Sequence, residues 1–314
     1  MKNQVIQIYL LVCQIYDNQS SLKYQRSSNF KPRFTDEELI TVYLFGQLNE
    51  RFNHRQIHAF IQQYWLDWFP RLPSYQAFNR RLNLLTDNFQ ALFAYLLHRL
   101  AADQKQLSTD FLIDSMPVML AVGTRARAAR VAPEIAKTGF CATKQIHFHG
   151  VRLHLIGNRQ TSALPRPARI WLKEGNVHDL TALREIADDL PAGINLFADK
   201  AYADKEFKRE LENRRIKLVT PIKKPKKEEL SDEQKHFSKT ISSFRQPIES
   251  FFKWLIDKTD IQRASQVRST DGLLIHCLGK LTFALFLTEF LLLIHILYVF
   301  LNLKNKLRRL PINE

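Results

Sequence analysis

Cysteine is scarce in this sequence. Only three cysteines occur among 314 residues, Cys13, Cys141 and Cys277, and they lie far apart with no C-x-x-C pair. This scarcity argues against a disulfide framework, a zinc knuckle or a redox pair, and it favours a reducing cytoplasm. Residues 1–19 have no A-x-A cleavage site, and polar residues interrupt their apolar stretch. We therefore interpret them as a first helix rather than a signal peptide.

Acidic residues are also in deficit. Asp and Glu number 31 against 46 Lys and Arg, which gives a net charge of +15. A balance of this sign points to a polyanionic partner, with nucleic acid as the first candidate and an anionic membrane as the second. The 45% hydrophobic and 25% charged content is ordinary for a globular protein and argues against a mostly disordered chain. The length suggests two domains, or one larger fold with insertions.

Residues 1–104 show helical signals. Thr35 and Glu38 have the spacing of a capping box, and further helices are predicted over 54–64, 74–85 and 88–102.

Beyond residue 107 the pattern changes to short β-rich runs, predicted as strands over 111–120, 144–157, 168–173, 193–202 and 216–222. Helices are predicted between them over 180–190 and 204–216. These elements predict an α/β fold, a mixed sheet flanked by helices. Residues 223–240 are interpreted as a charged loop, with helix resuming at about Pro247. We divide the chain into a helical N-terminal region, residues 1–104, and a second domain, residues 105–314, that ends in a helical segment.

The C-terminal stretch 273–303 approaches the length of about 20 apolar residues that spans a bilayer. Lys280, Glu289 and His295 interrupt it, and ionisable groups are expensive in lipid. We expect helices packed against the sheet or a partner subunit, and no membrane. A membrane-anchored protein is the alternative.

Three acidic residues stand out by their positions. Asp114 lies inside an apolar strand, where a carboxylate is costly unless it is paired or bound to a cation. Asp199 follows a second apolar strand, and Glu249 follows Pro247, which suits the first position of a helix. Taken singly, the aspartates are more typical of turns or caps, and Glu249 with Lys253 of a surface pair.

Together, an Asp on a first strand, an Asp on a later strand and a Glu on a following helix resemble the ribonuclease-H-like DDE transposases of bacterial insertion sequences. The motifs that carry the resemblance are Ile113-Asp114-Ser115, Asp199-Lys200-Ala201-Tyr202, where relatives have Gly in place of Ala201, and Arg245 with Glu249. The chain departs from the family at Ser242, where many relatives carry Tyr, and at Ile256, where they carry Lys.

The resemblance implies a ribonuclease-H-like catalytic domain in which Asp114, Asp199 and Glu249 are the catalytic residues and the ligands of Mg²⁺ or Mn²⁺. Carboxylate oxygens suit these ions, and two such ions can assist strand cleavage and transfer. It also implies double-stranded DNA as partner, both the terminal repeats and the target, and a homodimer in the synaptic complex. The N-terminal region would help to bind the element ends. We expect a cytoplasmic protein that associates with the nucleoid when bound to DNA.

The predicted DNA-binding surface is basic. Residues 121–159 hold seven basic residues against one acidic residue, directly after Asp114. A solvated face is the alternative to phosphate contact. The DNA-binding candidates are Arg125, Arg127, Arg130, Lys144 and Arg152 from this stretch, Arg245 and Lys253 beside Glu249, and Arg80 on the second helix of a helix-turn-helix-like unit.

Histidines and one further aspartate leave alternatives open. His147, His149 and His154 share one predicted strand, so a transition-metal site, phosphate contact or plain surface are all compatible with them. Asp179 either caps the next helix or lines the active site. For the whole protein, a metal-dependent nuclease of the same fold and a non-catalytic DNA-binding protein remain as alternatives to the transposase.

Overall fold

The computed structural model describes residues 2–18, 32–102, 108–224 and 229–307, with side chains in the last helix described as far as Glu289. It divides into two compact units. The helical unit comprises Met1–His98 and Leu278–Glu314, and the sheet unit comprises Arg99–Cys277.

The helical unit confirms the helices predicted from the sequence. They are α1 (Lys2–Asn18), α2 (Asp36–Leu48), α3 (His54–Tyr64), α4 (Tyr75–Asn83) and α5 (Thr86–Ala102), which runs into the second unit. The predicted capping box starts α2, because Glu38 N–H donates to the Thr35 hydroxyl at 3.2 Å and Thr35 N–H donates to the Glu38 carboxylate at 2.6 Å.

Helix α2 is the centre of this unit, buried continuously from Leu39 to Gln47. Tyr43 packs edge-to-face on Phe89, with ring centroids 5.2 Å apart. Gly46 lets α3 approach closely, because a Cβ at this position would lie 2.7 Å from Ile57 side-chain carbons. The core around α2 is therefore mainly apolar and aromatic, with Thr41 and Gln47 buried among these side chains.

The C-terminal helix, α10 (Thr270–Leu307), enters the helical unit at Leu278. A Cβ on Gly279 would lie 2.7 Å from the Tyr43 hydroxyl, and the Thr282 hydroxyl donates to the Phe89 carbonyl at 3.4 Å. By length and composition, Thr270–Glu289 could cross a membrane, but 61% of its 18-residue apolar stretch is buried in the protein. A buried core helix meets the same criteria, so this is weak evidence for a membrane span.

The two compact units differ from the sequence division at residues 104 and 105. Residues from Leu278 onward group with the N-terminal helices rather than with the sheet. The physical reason is the packing of α10 on Tyr43 and Phe89, which brings the two ends of the chain into one core. The functional roles assigned to the two regions remain predictions.

The sheet unit is built on six strands: β1 (Asp110–Val122), β2 (Lys137–Cys141), β3 (Ile146–Asn158), β4 (Arg166–Glu174), β5 (Asn195–Phe197) and β6 (Lys217–Val219). Strands β1, β3 and β4 are antiparallel neighbours, whereas β5 and β6 run parallel to β1 on its other side. Short β2 pairs with β3 and was not predicted. This topology confirms the ribonuclease-H-like mixed sheet flanked by helices.

Helices and turns connect these strands: α6 (Thr124–Ala128), α7 (Asp179–Arg184), a 3₁₀ turn (Ala187–Asp189), a second 3₁₀ turn (Lys200–Tyr202), α8 (Lys205–Asn213) and α9 (Asp232–Thr259). Strand β5 is shorter than predicted because the chain leaves the sheet at Asp199, which caps the second 3₁₀ turn. Side chains from β1, β5 and β6 pack with side chains from α7 and α8 in one apolar cluster.

Strand β1 has a neighbouring strand on both sides only at its start, because its pairing with β5 ends at Leu112. Beyond that point β1 pairs with β3 on one side, and on the other side Met119 forms a single bridge with residues 262–264. Pro117, which has no N–H, is tolerated in the middle of β1 because no strand needs that donor on the open side. The same opening leaves room for polar side chains after Leu112.

Helix α9 starts earlier than the sequence interpretation placed it. It begins at Asp232 with a capping box between Ser231 and Gln234, so Pro247 lies inside the helix rather than at its start. The interpretation of 223–240 as a loop is therefore wrong for residues from 232 onward, and residues 225–228 lie outside the described residues. Glu249 is correspondingly mid-helix, and the argument that a helix N-terminus stabilises its charge does not apply.

Candidate active site

Two of the three predicted carboxylates lie just beyond the paired stretch of neighbouring strands. The last Cα pair between parallel β1 and β5 joins Leu112 to Phe197. Asp114 follows two residues later on β1, and Asp199 follows two residues after the end of β5, where the chain turns out of the sheet, within electrostatic reach of Asp114. This edge is the carboxyl end of β5, the location where open sheets of parallel strands commonly bind ligands.

Asp114 is held by two donors. Ser115 N–H donates to its Oδ1 at 2.8 Å, and Arg245 Nη2 donates to its Oδ2 at 3.1 Å. The Arg245 side chain is only 6% exposed and that of Asp114 is 23% exposed. Burial raises the pKa of Asp114 to about 6; the Arg245 guanidinium and the Ser115 N–H act against this rise, and the charges of Asp199 and Asp179 act with it. Asp114 is thus surrounded by further charged groups.

Asp179 belongs to this charged group. Its Oδ1 accepts a hydrogen bond from the Ser115 hydroxyl at 2.6 Å. Arg152 Nη1 and His154 Nδ1 each lie 3.9 Å from the same oxygen. His178, not Asp179, caps α7, with its Nδ1 accepting from Leu180 N–H at 3.3 Å. Of the two sequence interpretations of Asp179, capping of the helix is therefore not seen, and the carboxylate instead contacts Ser115, the neighbour of Asp114.

Tyr202 provides the apolar floor beside these carboxylates. It is 1% exposed, and its hydroxyl has no hydrogen-bond partner among the described residues. Burial raises its pKa well above 10, and the negative charges of Asp179, Asp114 and Asp199 act in the same direction. Asp199 itself accepts a hydrogen bond from Ala201 N–H, which closes the 3₁₀ turn. The neutral phenol therefore lies within electrostatic reach of three aspartates.

Glu249 is not drawn into this group. Its side chain is exposed on α9, and it lies four residues, or one helical turn, beyond Arg245. Arg245 makes the contact between α9 and Asp114. The sequence did not foresee this ion pair, although the Arg245–Glu249 spacing already indicated that the two residues share one face of a helix.

The predicted ligands are chemically suited to a hard divalent ion, but they are not all arranged around one point. Asp114 and Asp199 offer carboxylate oxygens within electrostatic reach of each other, and such oxygens are appropriate ligands for Mg²⁺ or Mn²⁺. Among the side chains that the structure describes, however, no group of three from His, Cys, Asp or Glu is arranged to hold a metal ion. The guanidinium of Arg245 neutralises Asp114 instead. Asp114 and Asp199 are therefore chemically suitable ligands, Glu249 is exposed and outside this group, and the metal site stays a prediction.

The predicted DNA-binding residues divide into exposed and engaged side chains. The exposed ones are Arg80, Arg125, Arg127, Arg130, Lys144 and Lys253. Arg152 is half-buried and donates to the carbonyls of Phe140 at 2.7 Å and Gly175 at 3.2 Å, whereas Arg245 is buried against Asp114. Two of the six exposed side chains also make local hydrogen bonds, Arg130 to the carbonyls of Arg127 and Ala129 and Lys144 to the side chain of Gln262. All six are accessible to a phosphate backbone, whereas Arg152 and Arg245 hold protein groups at less accessible positions.

The three histidines of β3 do not form one cluster. His149 Nε2 lies 2.9 Å from the Val131 carbonyl, and His147 packs against Phe140. His154 is fully buried and stacks on Trp171, with ring centroids 5.1 Å apart. Burial lowers the pKa of His154 to about 4, opposed by Asp179 and reinforced by Arg152 and Lys173. The histidines have separate partners, which removes the basis for a shared transition-metal site.

A basic cleft of about 700 Å³ was not predicted. It lies beside β6, between α8 and the first half of α9, and is lined by Phe197, Leu218, Pro221, Phe237 and Ile241 on its apolar side and by Lys205, Lys208, Lys217 and Lys223. Asp204, the acidic residue in its lining, accepts from Arg184 at 3.1 Å and caps α8. The cleft therefore combines a positive rim with an apolar floor.

Comparison with known proteins identifies one family. The family model described as "Transposase DDE domain" matches residues 104–269, just over half of the chain. No curated protein matches significantly. Among solved structures, a cryo-EM structure of a piggyBac transposase synaptic complex with hairpin DNA has a TM-score of 0.46 and 7% sequence identity, covering 89% of this chain and 74% of that one. A likeness of this degree carries no argument about the site.

Proposed function

Since this chain belongs to the transposase DDE-domain family, we propose that it is a DNA transposase that cleaves and transfers strands at the ends of an insertion sequence. Asp114, Asp199 and Glu249 are its proposed catalytic carboxylates. The observation that supports this most directly is the placement of Asp114 on β1 and Asp199 just after the adjacent parallel strand β5, close enough for the charge of Asp199 to act on Asp114.

The same carboxylates are the proposed ligands of Mg²⁺ or Mn²⁺. When bound, the ion would supply a Lewis acid for phosphoryl transfer at neutral pH. The protein's own part is to hold the ligands: β1 carries Asp114, the 3₁₀ turn after β5 carries Asp199, and Arg245 ties α9 to Asp114 at 3.1 Å. Glu249 lies one turn along the same helix, so a small rotation or shift of α9 would be enough to change its distance from the site.

Double-stranded DNA, both element ends and target, is the proposed partner. Arg125, Arg127 and Arg130 are exposed on and next to α6, which directly follows the strand that carries Asp114. Lysines around the basic cleft would extend this surface beyond β5 and Asp199. Phosphate contacts of this kind supply much of the affinity for DNA and position the strand. We further propose a homodimer in the synaptic complex and a cytoplasmic location.

The test is cleavage of supercoiled DNA that carries the cognate element ends, with Mg²⁺ and with excess chelator. Asp114→Asn, Asp199→Asn and Glu249→Gln should each lower cleavage on the order of 10⁴-fold, as removal of a catalytic group does. Gel-shift affinity should remain, because Lys and Arg contacts to phosphate dominate it. Asp257→Asn, at an exposed carboxylate on α9, is the matched control and should cleave normally.

Each alternative gives a different result. Cleavage that persists in chelator would reject the metal mechanism, and cleavage without joined products would favour a nuclease of the same fold. A non-catalytic DNA-binding protein would bind the ends without cutting them. Normal activity of Glu249→Gln, with both aspartate variants inactive, would remove Glu249 from the catalytic set.

A further inference from the structure

We propose that Asp179 is a positioning residue for Asp114, acting through the side chain and backbone of Ser115. The proposal rests on the proposed transposase function, because it concerns the same site. It assigns a role to the His178-Asp179 segment, which the sequence left open between a helix cap and the active site.

Ser115 links the two carboxylates directly. Its backbone N–H donates to Asp114 Oδ1 at 2.8 Å, and its hydroxyl donates to Asp179 Oδ1 at 2.6 Å. Consecutive side chains of a strand point to opposite faces, so the side chains of Asp114 and Ser115 lie on different sides of the sheet. Asp179 thus holds β1 from the face opposite the one on which Asp114 meets Arg245.

Asp179 is itself firmly placed. It is the first residue of α7, whose Ala182 and Leu183 are fully buried, and the His178 side chain caps that helix. Around its carboxylate, His154 is fully buried and stacked on Trp171, and Arg152 is anchored to two backbone carbonyls. The acceptor for the Ser115 hydroxyl therefore cannot move without disturbing packed neighbours.

This arrangement has a chemical consequence for Asp114. A carboxylate that must bind a cation is oriented by the donors that hold its oxygens, and loss of such supporting hydrogen bonds commonly costs roughly 10- to 100-fold in metal affinity or activity. Without the acceptor at Asp179, the Ser115 hydroxyl is released to rotate, and the backbone segment that orients Asp114 Oδ1 loses its tie to α7.

The experiment compares Asp179→Ala, Asp179→Asn and Ser115→Ala with the wild type. Two readouts are used: the rate of cleavage of cognate ends at saturating DNA, and Mn²⁺ binding measured by titration calorimetry without DNA. Asp179→Ala and Ser115→Ala should each lose roughly 10- to 100-fold in both readouts, with DNA affinity unchanged. Asp179→Asn should stay within a few-fold of wild type, because an amide oxygen still accepts the hydroxyl.

A double variant shows whether the two residues act together. If Asp179 acts through Ser115, the combined Ser115→Ala and Asp179→Ala variant should lose no more activity than the more damaging of the two single substitutions. Multiplied losses would mean independent roles and would overturn the proposal. Asp189→Ala is the control, since this exposed aspartate pairs only with Arg169 in the described structure and should change neither readout.

Other outcomes are also decisive. Equal losses in Asp179→Asn and Asp179→Ala would show that the negative charge matters rather than the hydrogen bond, and wild-type behaviour of both Asp179→Ala and Ser115→Ala would exclude positioning. Should Asp179→Ala fail to fold by near-ultraviolet circular dichroism, Ser115→Ala tests the same bond by removing a single hydroxyl. If the wild type neither cleaves DNA nor binds Mn²⁺, the proposed function itself fails. If it does both, the results for the variants test only the positioning role of Asp179.

Discussion

The helical unit and the edge of the sheet after Leu112 bury charged groups in different surroundings. In the helical unit, Tyr43 and Phe89 pack edge-to-face, and the buried ammonium of Lys280 lies over the Phe52 ring at 5.7 Å from its centroid. At the sheet edge, a partly buried carboxylate meets a buried guanidinium, and two more aspartates lie within electrostatic reach. Apolar burial is a dependable source of stability, whereas burying charges commonly costs as much as the pairing returns.

This difference separates the roles of the two regions. Substitutions in the helical core should act on folding, and substitutions at the sheet edge should act on pH dependence and activity. Natural proteins commonly retain such unfavourable polar groups at functional sites. The following predictions test this difference between the two regions, and each names a result that would contradict it.

The largest stability effect is expected for Phe89→Ala in the helical unit. Phe89 is fully buried, contacts the Tyr43 ring at 5.2 Å and carries the carbonyl that accepts from Thr282. Removing the ring leaves a cavity, so the free energy of unfolding should fall by about 3–5 kcal/mol. Chemical denaturation measures it.

The matched control is Leu84→Ala, at a side chain that is 65% exposed. It should change the free energy of unfolding by less than about 0.5 kcal/mol. A loss below about 1 kcal/mol for Phe89→Ala would contradict the assignment of this aromatic cluster as the core of the unit.

A smaller, pH-dependent effect is expected for Arg245→Gln at the sheet edge. The folded pKa of Asp114, about 6, lies above its ordinary value of 3.8. The folded state therefore binds the proton more tightly, and this carboxyl's contribution to stability falls as pH rises from about 4 through 6. Removing Arg245 takes away the cation that lowers this pKa, so the fall should extend to higher pH.

The measurement is the difference in unfolding free energy between wild type and Arg245→Gln, in chelator, at pH 4.5 and pH 7.5. The penalty should be about 1–2 kcal/mol larger at pH 7.5, where the unpaired carboxylate is forced to ionise. Arg214→Gln is the control, because Arg214 pairs with a fully exposed Asp188 and its loss should not depend on pH in this range. A penalty equal at both pH values would show that Arg245 does not hold the charge of Asp114.

Local patterns predicted the strands and most helices, because residues 111–120 alternate or run apolar and Thr35 with Glu38 is a local signal. They also marked Asp114 and Asp199, since a carboxylate in an apolar strand is conspicuous. The start of α9 was equally local, in Ser231 and Gln234, but Pro247 was taken as the start signal instead.

The remaining features depend on tertiary contacts. The tie between Asp179 and Ser115 joins residues 64 positions apart, and the pair of Arg245 with Asp114 joins residues 131 apart. No local period reports which distant helix faces a strand. The packing of α10 with the N-terminal helices was missed for the same reason, because hydrophobicity indicates that a helix is buried but not against which partner.

The smallest effects are expected at two capping boxes, one in each unit. Thr35 starts central α2 and is half-buried, whereas Ser231 starts α9 in a stretch whose residues 231–237 are all exposed. Thr35→Ala should lower the free energy of unfolding by about 1 kcal/mol, since α2 cannot fray without opening the core. Ser231→Ala removes the same type of bond, but its first turns can fray locally, so global stability should change by only a few tenths of a kcal/mol. Hydrogen exchange would then show faster exchange in residues 232–240 while the rest of α9, which holds Arg245, stays protected. Equal global losses in the two variants would mean that the start of α9 is as tightly coupled to the fold as the centre of the helical unit, and the contrast between the regions would not extend to their helix ends.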